Sequence, residues 1–348
     1  MTTLTDRGLA YDRACGALAG MAIGDALGMP SQTLSRPQIA QHYGEITNYV
    51  APYPDHPVSH GLGAAQVTDD TEQAFLLAKR LVEDDNGFDE TLWAQDLLDW
   101  ERDVRARGLR DLLGPSSKAA LAAMLAGESA LETGRNGTTN GAAMRITPVG
   151  IATKYDPSDN FLDRVELACR MTHNTGEAIA AAAAVAAVVS RGVDGLDFDA
   201  AIETALDAAE KGQKRGFRSG EPDMSKRITD ALKLADKGIS TEEFAQSVGT
   251  SVASYESVPA AFGVVRMAEG DVWKAAQIAA NIGDDTDTIG AIAGAMAGAC
   301  AGIQSIDPNA LAPVRSANDL AIEATAEQLL TLRGVSADAP HDTTEATR

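Results

Sequence analysis

Cysteine is scarce: Cys15, Cys169 and Cys300 are the only three, and no CxxC spacing relates them. That excludes a disulfide framework and a thiolate zinc site, and leaves buried free thiols in a reducing cytoplasm as the expectation. Positive charge is scarce too, with 29 Lys and Arg against 50 Asp and Glu and a formal net charge of −21. So acidic a balance argues against a general nucleic-acid binder or a protein for anionic membranes, since both require basic surface. The apolar run 289–303 is too short and too rich in small residues to span a bilayer, which takes about 20 residues, so no membrane partner is expected. Residues 1–13 are polar, without a cationic start followed by an apolar stretch, and no secretory leader is expected there. Alternating strand and helix patterns are missing, as is a GxGxxG following a strand; the expected fold class is all-α.

What is present is glycine at a fixed interval. Gly290, Gly294, Gly298 and Gly302 fall every fourth residue, and so do Gly16, Gly20, Gly24 and Gly28 in GALAGMAIGDALG. On an α-helix that spacing lines one stripe along which another backbone can approach. Each interior glycine costs roughly 0.5–1 kcal/mol relative to alanine, so a close neighbour must offset the loss. The two striped helices are therefore expected to pack together at the centre of a single domain, residues 1–332. The polar, aperiodic residues 333–348 read as a disordered tail.

Chemistry gathers at the N-terminal end of the second stripe, in Asp284-Asp285-Thr286-Asp287-Thr288. One Asp or Thr caps a helix, and the helix dipole favours negative charge there. Three carboxylates in four residues exceed that need, because at about 4 Å a like-charged pair repels by roughly 4 kcal/mol at an effective dielectric of 20. A cation relieves the repulsion; a solvated acidic cap is the plainer alternative for this stretch alone. Residues 67–77, VTDDTEQAFLL, repeat the design at the start of another apolar-periodic helix. Two hard-oxygen clusters without a His or Cys ligand pattern point to Mg²⁺, Mn²⁺ or Ca²⁺ rather than zinc.

Asp25 falls on or beside the first glycine helix, either next to the metal ligands or as a capping and hydrogen-bonding group. Residues 44–66 are rich in Pro, Gly and His without a period, and such a segment suits a lid or wall of a site. The separations of His42, His56 and His60 do not form a metal-ligand set. Helices are expected over 68–84 and 88–103, from near Lys118, within 161–192, across 200–247, and from about Val258 with Pro259 in a first turn. The loop 134–147, GRNGTTNGAAMRIT, could turn backbone N–H groups toward a phosphate, although an ordinary turn looks the same. Lys211, Lys214, Arg215 and Arg218 form one basic patch, read as a solvated loop.

With TDDT, NGAAMR, a Thr-His helix start and GDDTDTIGAIAGAMAG in this order, the chain resembles the ADP-ribosylglycohydrolase family over about residues 10–330. The resemblance implies an all-α fold around a central cleft holding two Mg²⁺ ions, or Mn²⁺. Carried over, the ligands are Thr68, Asp69 and Asp70 from the first motif and Asp285, Asp287 and Thr288 from the second. The family usually has Gly where this chain has Asp284, which leaves Asp284 outside the set. The loop residues Gly134, Arg135, Asn136, Gly137, Asn140 and Gly141 are implied to cradle a diphosphate and ribose, and His173 to touch the ligand. The implied activity is hydrolysis of the ribosyl C1 bond of an ADP-ribosylated protein or small molecule, with Asp285 or Asp70 orienting the water. Asp111 is a further candidate; its loop matches the family's Asp-x-Gly-Asn stretch only with a one-residue offset and with Pro115 in place of Asn. Family members are often monomers, and no exposed heptad here argues otherwise.

Two departures keep other readings open. The family usually has Glu four residues after the last glycine of Gly-Asp-Ala-Leu-Gly, where this chain has Gln32, which can hold a hydrogen bond or a metal but cannot take up a proton. Thr175-Gly176 stands where many members show His-Pro. One alternative is hydrolysis of a smaller N-ribosyl compound, a nucleoside or nucleotide. Another is a non-catalytic ADP-ribose-binding or structural protein, since the family also includes lens crystallins; six oxygen donors at one point count against it.

Overall fold

A computed structural model describes residues 6–84, 87–109, 113–156, 160–218, 220 and 222–335. The first helices are α1 (Asp6–Gly28), α2 (Arg36–Tyr43), α3 (Asp69–Glu83), α4 (Glu90–Ala106), α5 (Pro115–Leu125), α6 (Ala130–Thr133), α7 (Gly141–Met144), α8 (Thr147–Ala152) and α9 (Asn160–Cys169). There follow α10 (Gly176–Val193), α11 (Phe198–Gly212), α12 (Met224–Ala235), α13 (Thr241–Val248), α14 (Ser254–Met267), α15 (Val272–Ala280), α16 (Thr286–Ala301), α17 (Pro308–Ala317) and α18 (Ile322–Leu332). Among the described residues there is no strand, only isolated bridges between loops such as Leu34 to Asp284 and Thr139 to Ala253. The expected all-α class is what the chain adopts.

α1 and α16 lie antiparallel at the centre, backbone against backbone. Gly16 faces Gly298, Gly20 faces Gly294 and Gly24 faces Gly290. A Cβ built on Gly20 would stand 2.1 Å from the carbonyl oxygen of Gly294, well inside contact distance. The contact leaves the N-terminus of α16 against the C-terminus of α1, where Thr286 Oγ1 donates to Gly28 O (2.9 Å). Ser31 Oγ, in the 3₁₀ turn that follows α1, lies 3.0 Å from Thr286 Oγ1 and 2.7 Å from Ala280 O. α10 completes the core. By length and composition it could cross a membrane, yet 94% of it is buried inside the protein.

Several boundaries differ from expectation for physical reasons. α2 was not anticipated, although Ser35 and Gln38 form a capping box at its start. α5 begins at Pro115 with Gly114 as its cap, three residues before Lys118, because proline fits the first turn where its missing N–H is not needed. Pro259 lies beyond the first turn of α14. The carbonyl of Tyr255, which an N–H at position 259 would engage, instead accepts from Arg227 Nε at 2.9 Å. Arg333, expected in the tail, is a structural anchor with a side chain 2% exposed. It donates to Thr153 O, Ser190 O and Asp194 Oδ1, each at 2.8 Å. Gly334 and Val335, also expected in the tail, close the end of α18 by donating to Thr331 O and Leu330 O, each at 3.0 Å, and residues 336–348 lie outside the described residues.

The helix contact generates a stability prediction. Gly20→Ala should lower the unfolding free energy by about 3 kcal/mol or more, the upper range for overpacking a core. Gly114→Ala, where an added Cβ meets nothing within 4 Å, should cost only about 1 kcal/mol, the loss of a glycine at a helix N-cap. Urea denaturation of both variants decides the matter: equal midpoints would mean that the two helices can part freely.

Candidate active site

The site is built where α3 and α16 begin. Thr68 caps α3, and Asp25 of α1 reaches across to hold that end. Its carboxylate accepts from Thr68 N (3.0 Å), Thr68 Oγ1 (2.8 Å), Thr71 N (3.1 Å) and Thr71 Oγ1 (2.6 Å). Asp25 thus acts as a hydrogen-bonding cap and, through Thr68, steadies an expected ligand. Burial raises its pKa to about 6, while these four donors pull the other way.

Asp70 and Asp287 form the floor. Asp70 Oδ2 is 3.2 Å from Thr68 Oγ1 and 3.4 Å from Thr288 Oγ1, so the hydroxyls of both motifs meet on one carboxylate. Asp70 Oδ1 and Asp287 Oδ1 are buried and accept no hydrogen bond. Burial, then the charge of Asp287, pushes Asp70 well above the usual carboxylate range. Burial followed by Asp285 does the same to Asp287, and burial followed by Asp25 to Asp69. Among the described residues, no three His, Cys, Asp or Glu side chains are already drawn to one point at ligating distance. The acidic groups are assembled as neighbours rather than as a closed cage. Orphaned buried oxygens in a set of carboxylates and hydroxyls fit hard divalent cations, which take oxygen ligands of this kind.

Above this floor opens a cleft of about 270 Å³, lined among others by Gln32, Asp69, Asn140, Gly141, Asp285, Asp287 and Thr288. Asp285 is half-buried in its wall. Its Oδ2 accepts from Asn140 Nδ2, which also donates to Ser257 Oγ at 2.9 Å. Burial raises the Asp285 pKa to about 6, opposed by Asn140 and Thr288. Asp284 points elsewhere: it is exposed, and its Oδ2 accepts from Thr250 Oγ1 at 3.1 Å. Its φ of 59° is a left-handed conformation that glycine adopts without penalty.

Part of the expected substrate loop does not reach the cleft. Gly134 and Gly137 are packed on the segment 170–174, where a Cβ would stand 2.2 Å from Arg170 O and Thr172 O respectively. Arg135 is exposed, pairs with Glu132 at 2.8 Å and lies over the Phe217 ring at 4.8 Å. Asn136 is exposed. Only Asn140 and Gly141 of that set line the cleft. His173 is also displaced: it is fully buried behind the loop, with Nε2 2.9 Å from Thr139 Oγ1 and Nδ1 2.7 Å from Thr172 Oγ1. Burial, reinforced by Arg145, holds its pKa well below the usual value, so it is a neutral packing and hydrogen-bonding group. Asp111 lies outside the described residues.

Arg145, which the motif NGAAMR contained without revealing a role, is a buried cation whose charge interacts with that of Asp69. It is fully buried, donates to Gln73 Oε1 (2.7 Å) and Thr172 Oγ1 (2.6 Å), and sits over Trp93 at 5.5 Å. These partners are neutral. Burial lowers its pKa to about 10, with the charge of Asp69 among the groups opposing the shift. An arginine between an alanine-rich turn and an apolar segment gives no sequence sign that it will be buried among neutral partners.

Comparison with known proteins agrees with this architecture. A family model described as ADP-ribosylglycohydrolase matches residues 6–339. The chain is 36% identical over 313 residues to the protein YegU of Escherichia coli (strain K12), covering 89% of this chain and 93% of that one. It is 26% identical over 304 residues to ADP-ribosylarginine hydrolase Tri1 of Pseudomonas putida (strain GB-1), covering 86% and 73%. Its fold is similar to that of a solved chain titled ADP-ribosylglycohydrolase-related protein complex, with a TM-score of 0.66, 26% identity and coverage of 93% and 99%.

The crowded carboxylates make a pH prediction for protein freed of divalent cations. A carboxylate whose folded pKa is raised binds more protons folded than unfolded, so its penalty grows as pH rises from its unfolded pKa toward its folded one. Asp287 is such a group. Asp287→Asn should therefore be more stable than the native protein at pH 7 in chelator, on the order of 1–3 kcal/mol, with the advantage shrinking toward pH 4. Thermal unfolding across that range measures it, and a variant less stable than native at pH 7 would contradict the repulsion.

Proposed function

The chain belongs to the ADP-ribosylglycohydrolase family, and from that premise we propose that it is a glycosidase that hydrolyses the ribosyl C1 bond of an ADP-ribosyl compound with Mg²⁺ or Mn²⁺ at its acidic floor. The observation that carries this is the pair of orphaned oxygens, Asp70 Oδ1 and Asp287 Oδ1, on the first turns of two different helices beneath one cleft. Core packing gives no reason to bury them together. Thr68, Asp69, Asp70, Asp285, Asp287 and Thr288 are the residues that would hold the ions. Bound ions of this kind supply positive charge that grips sugar hydroxyls and makes a water more acidic.

The chain's own groups do the rest. Asp285 is the better placed of the two proton acceptors, because it stands in the cleft wall with Asn140 fixing one oxygen, while Asp70 is 1% exposed beneath it. Asp285, with one oxygen fixed by Asn140 and its side chain in the cleft wall, is a carboxylate positioned to draw a proton from a water in the cleft. As the water oxygen bonds to C1, the bond from C1 to the leaving atom breaks, one water proton passes to Asp285, and the leaving atom takes up a proton. The cleft lining sets three carboxylates, Asp69, Asp285 and Asp287, against one cation, Lys118, an acidic balance that suits the positive charge developing on the sugar. Gln32 joins the cleft wall but cannot exchange a proton.

The cleft's size favours one second reading, hydrolysis of a small N-ribosyl compound. About 270 Å³ is at the low edge of ligand sites, which span roughly 300–1,000 Å³. A product assay separates the two, offering ADP-ribosyl-arginine, ADP-ribosyl-serine, O-acetyl-ADP-ribose and a nucleoside panel with and without Mg²⁺. We expect metal-dependent release of ADP-ribose, lost by at least about a hundredfold in Asp287→Ala as for removal of a principal electrostatic group. Release of free ribose from nucleosides alone would select the second reading, and silence on every substrate would remove the enzyme assignment.

A further inference from the structure

The amide of Gln32 has one orientation, and its neighbours dictate it. Ser59 Oγ donates its single proton to Met29 O at 2.9 Å. Only lone pairs are left on that hydroxyl, so the group 2.9 Å away on Gln32 must be the Nε2 donor and not the oxygen. Ser59 is itself pinned, since its backbone N–H donates to His56 Nδ1 at 2.8 Å, as does that of Val58 at 3.2 Å. His56 is buried, and burial lowers its pKa to about 4, which keeps Nδ1 free to accept. The irregular segment 44–66 therefore serves as a clamp on the Gln32 nitrogen.

The oxygen follows by elimination. Gln32 Oε1 accepts no hydrogen bond from the described residues and is not among the buried atoms lacking a partner. Gln32 lines the cleft together with Asp69, Asn140 and Asp285. Its Oε1 is thus turned to the cleft as a neutral acceptor, beside acceptors that carry charge.

We propose that Gln32 is a specificity-determining residue whose fixed Oε1 accepts an N–H or O–H from the substrate and rejects an unprotonated phosphate or carboxylate oxygen at that place. This rests on the glycosidase reading above and sharpens it. Two sources supply such a donor: the nitrogen of an N-linked leaving group, or a ribose hydroxyl. Ser59 is a positioning residue in the same device, because without it the amide is free to turn and present Nε2 instead.

The test compares the native chain with Gln32→Met, which keeps length and loses the acceptor, and with Ser59→Ala. Calorimetry with ADP-ribose is paired with kcat/KM for an arginine-linked and an O-acetyl-linked ADP-ribosyl substrate. Both variants should lose about five- to tenfold in at least one of these quantities, the size of a neutral hydrogen bond. A loss confined to the arginine-linked substrate identifies the leaving-group N–H as donor. An equal loss for both substrates, with weaker ADP-ribose binding, identifies a ribose hydroxyl. Should Ser59→Ala melt early, Gln32→Met carries the test alone. Native binding and native kcat/KM in a normally folded Gln32→Met would overturn this inference and leave the glycosidase reading intact, whereas a native chain that neither binds ADP-ribose nor turns over either substrate would overturn both.

Discussion

Direct backbone contact between α1 and α16 is the constraint on which the rest of the molecule depends. Helices carrying ordinary side chains pack with axes about 8–10 Å apart, and glycines facing one another at Gly20 and Gly294 admit a closer approach. Such a contact has almost no freedom to slide, because each glycine is opposed by a carbonyl that a side chain one register away would strike. Its consequence is positional. The end of α1, with Asp25 and then Gln32, is locked to the start of α16, with Asp285, Asp287 and Thr288, although some 260 residues separate them in the chain. A third element, α3, is then tied to this pair through the bonds from Thr68 and Thr71 to Asp25.

That rigidity allows charge to be held where it is unfavourable. Asp25, Asp69, Asp70, Asp285 and Asp287 all have pKa values raised by burial. Helix N-termini and threonine hydroxyls recover part of the cost, and among the described residues Arg145 supplies a buried positive charge that acts on Asp69, with Lys118 in the cleft lining. A loose scaffold would relax by turning these side chains out to water. Here Asp70 and Asp287 stay buried on helices fixed by the glycine contact and the Asp25 cap, and the unfavourable energy is retained in the folded chain; under the proposed function a cation relieves it.

Much of this was legible in the sequence because it was written in local periodicity. A four-residue glycine interval and an Asp-Asp-Thr cluster before an apolar run each state a requirement that a few neighbouring residues can express. The failures share a different character: they concern which surface a residue turns toward. Gly134 and Gly137 are needed because a backbone comes close, and the sequence cannot say whether that backbone belongs to residues 170–174 or whether a ligand takes its place. The polarity of Arg333 suggested solvent, yet a guanidinium with five donors is equally at home in a ring of carbonyls. His173 and Arg145 were ambiguous for the same reason, since burial among neutral hydroxyls leaves no mark on neighbouring residue types.

The division between helices and loops also bears on the proton inventory. The acidic floor stands on helices, whereas the cleft walls come largely from irregular segments around Gln32, Val58, Leu113 and Val252. A loop can change which substrate is admitted without disturbing the charges beneath. Gln32 lies at the junction, just after the 3₁₀ turn that ends α1, and its inability to hold a proton limits how the reaction closes. The leaving atom must be protonated by solvent or by a cleft group able to carry a proton near neutral pH. In the proposed reaction Asp285 has taken the proton from water, so that one group in the cleft wall can hand it to the leaving atom, and a separate acid at position 32 is not required.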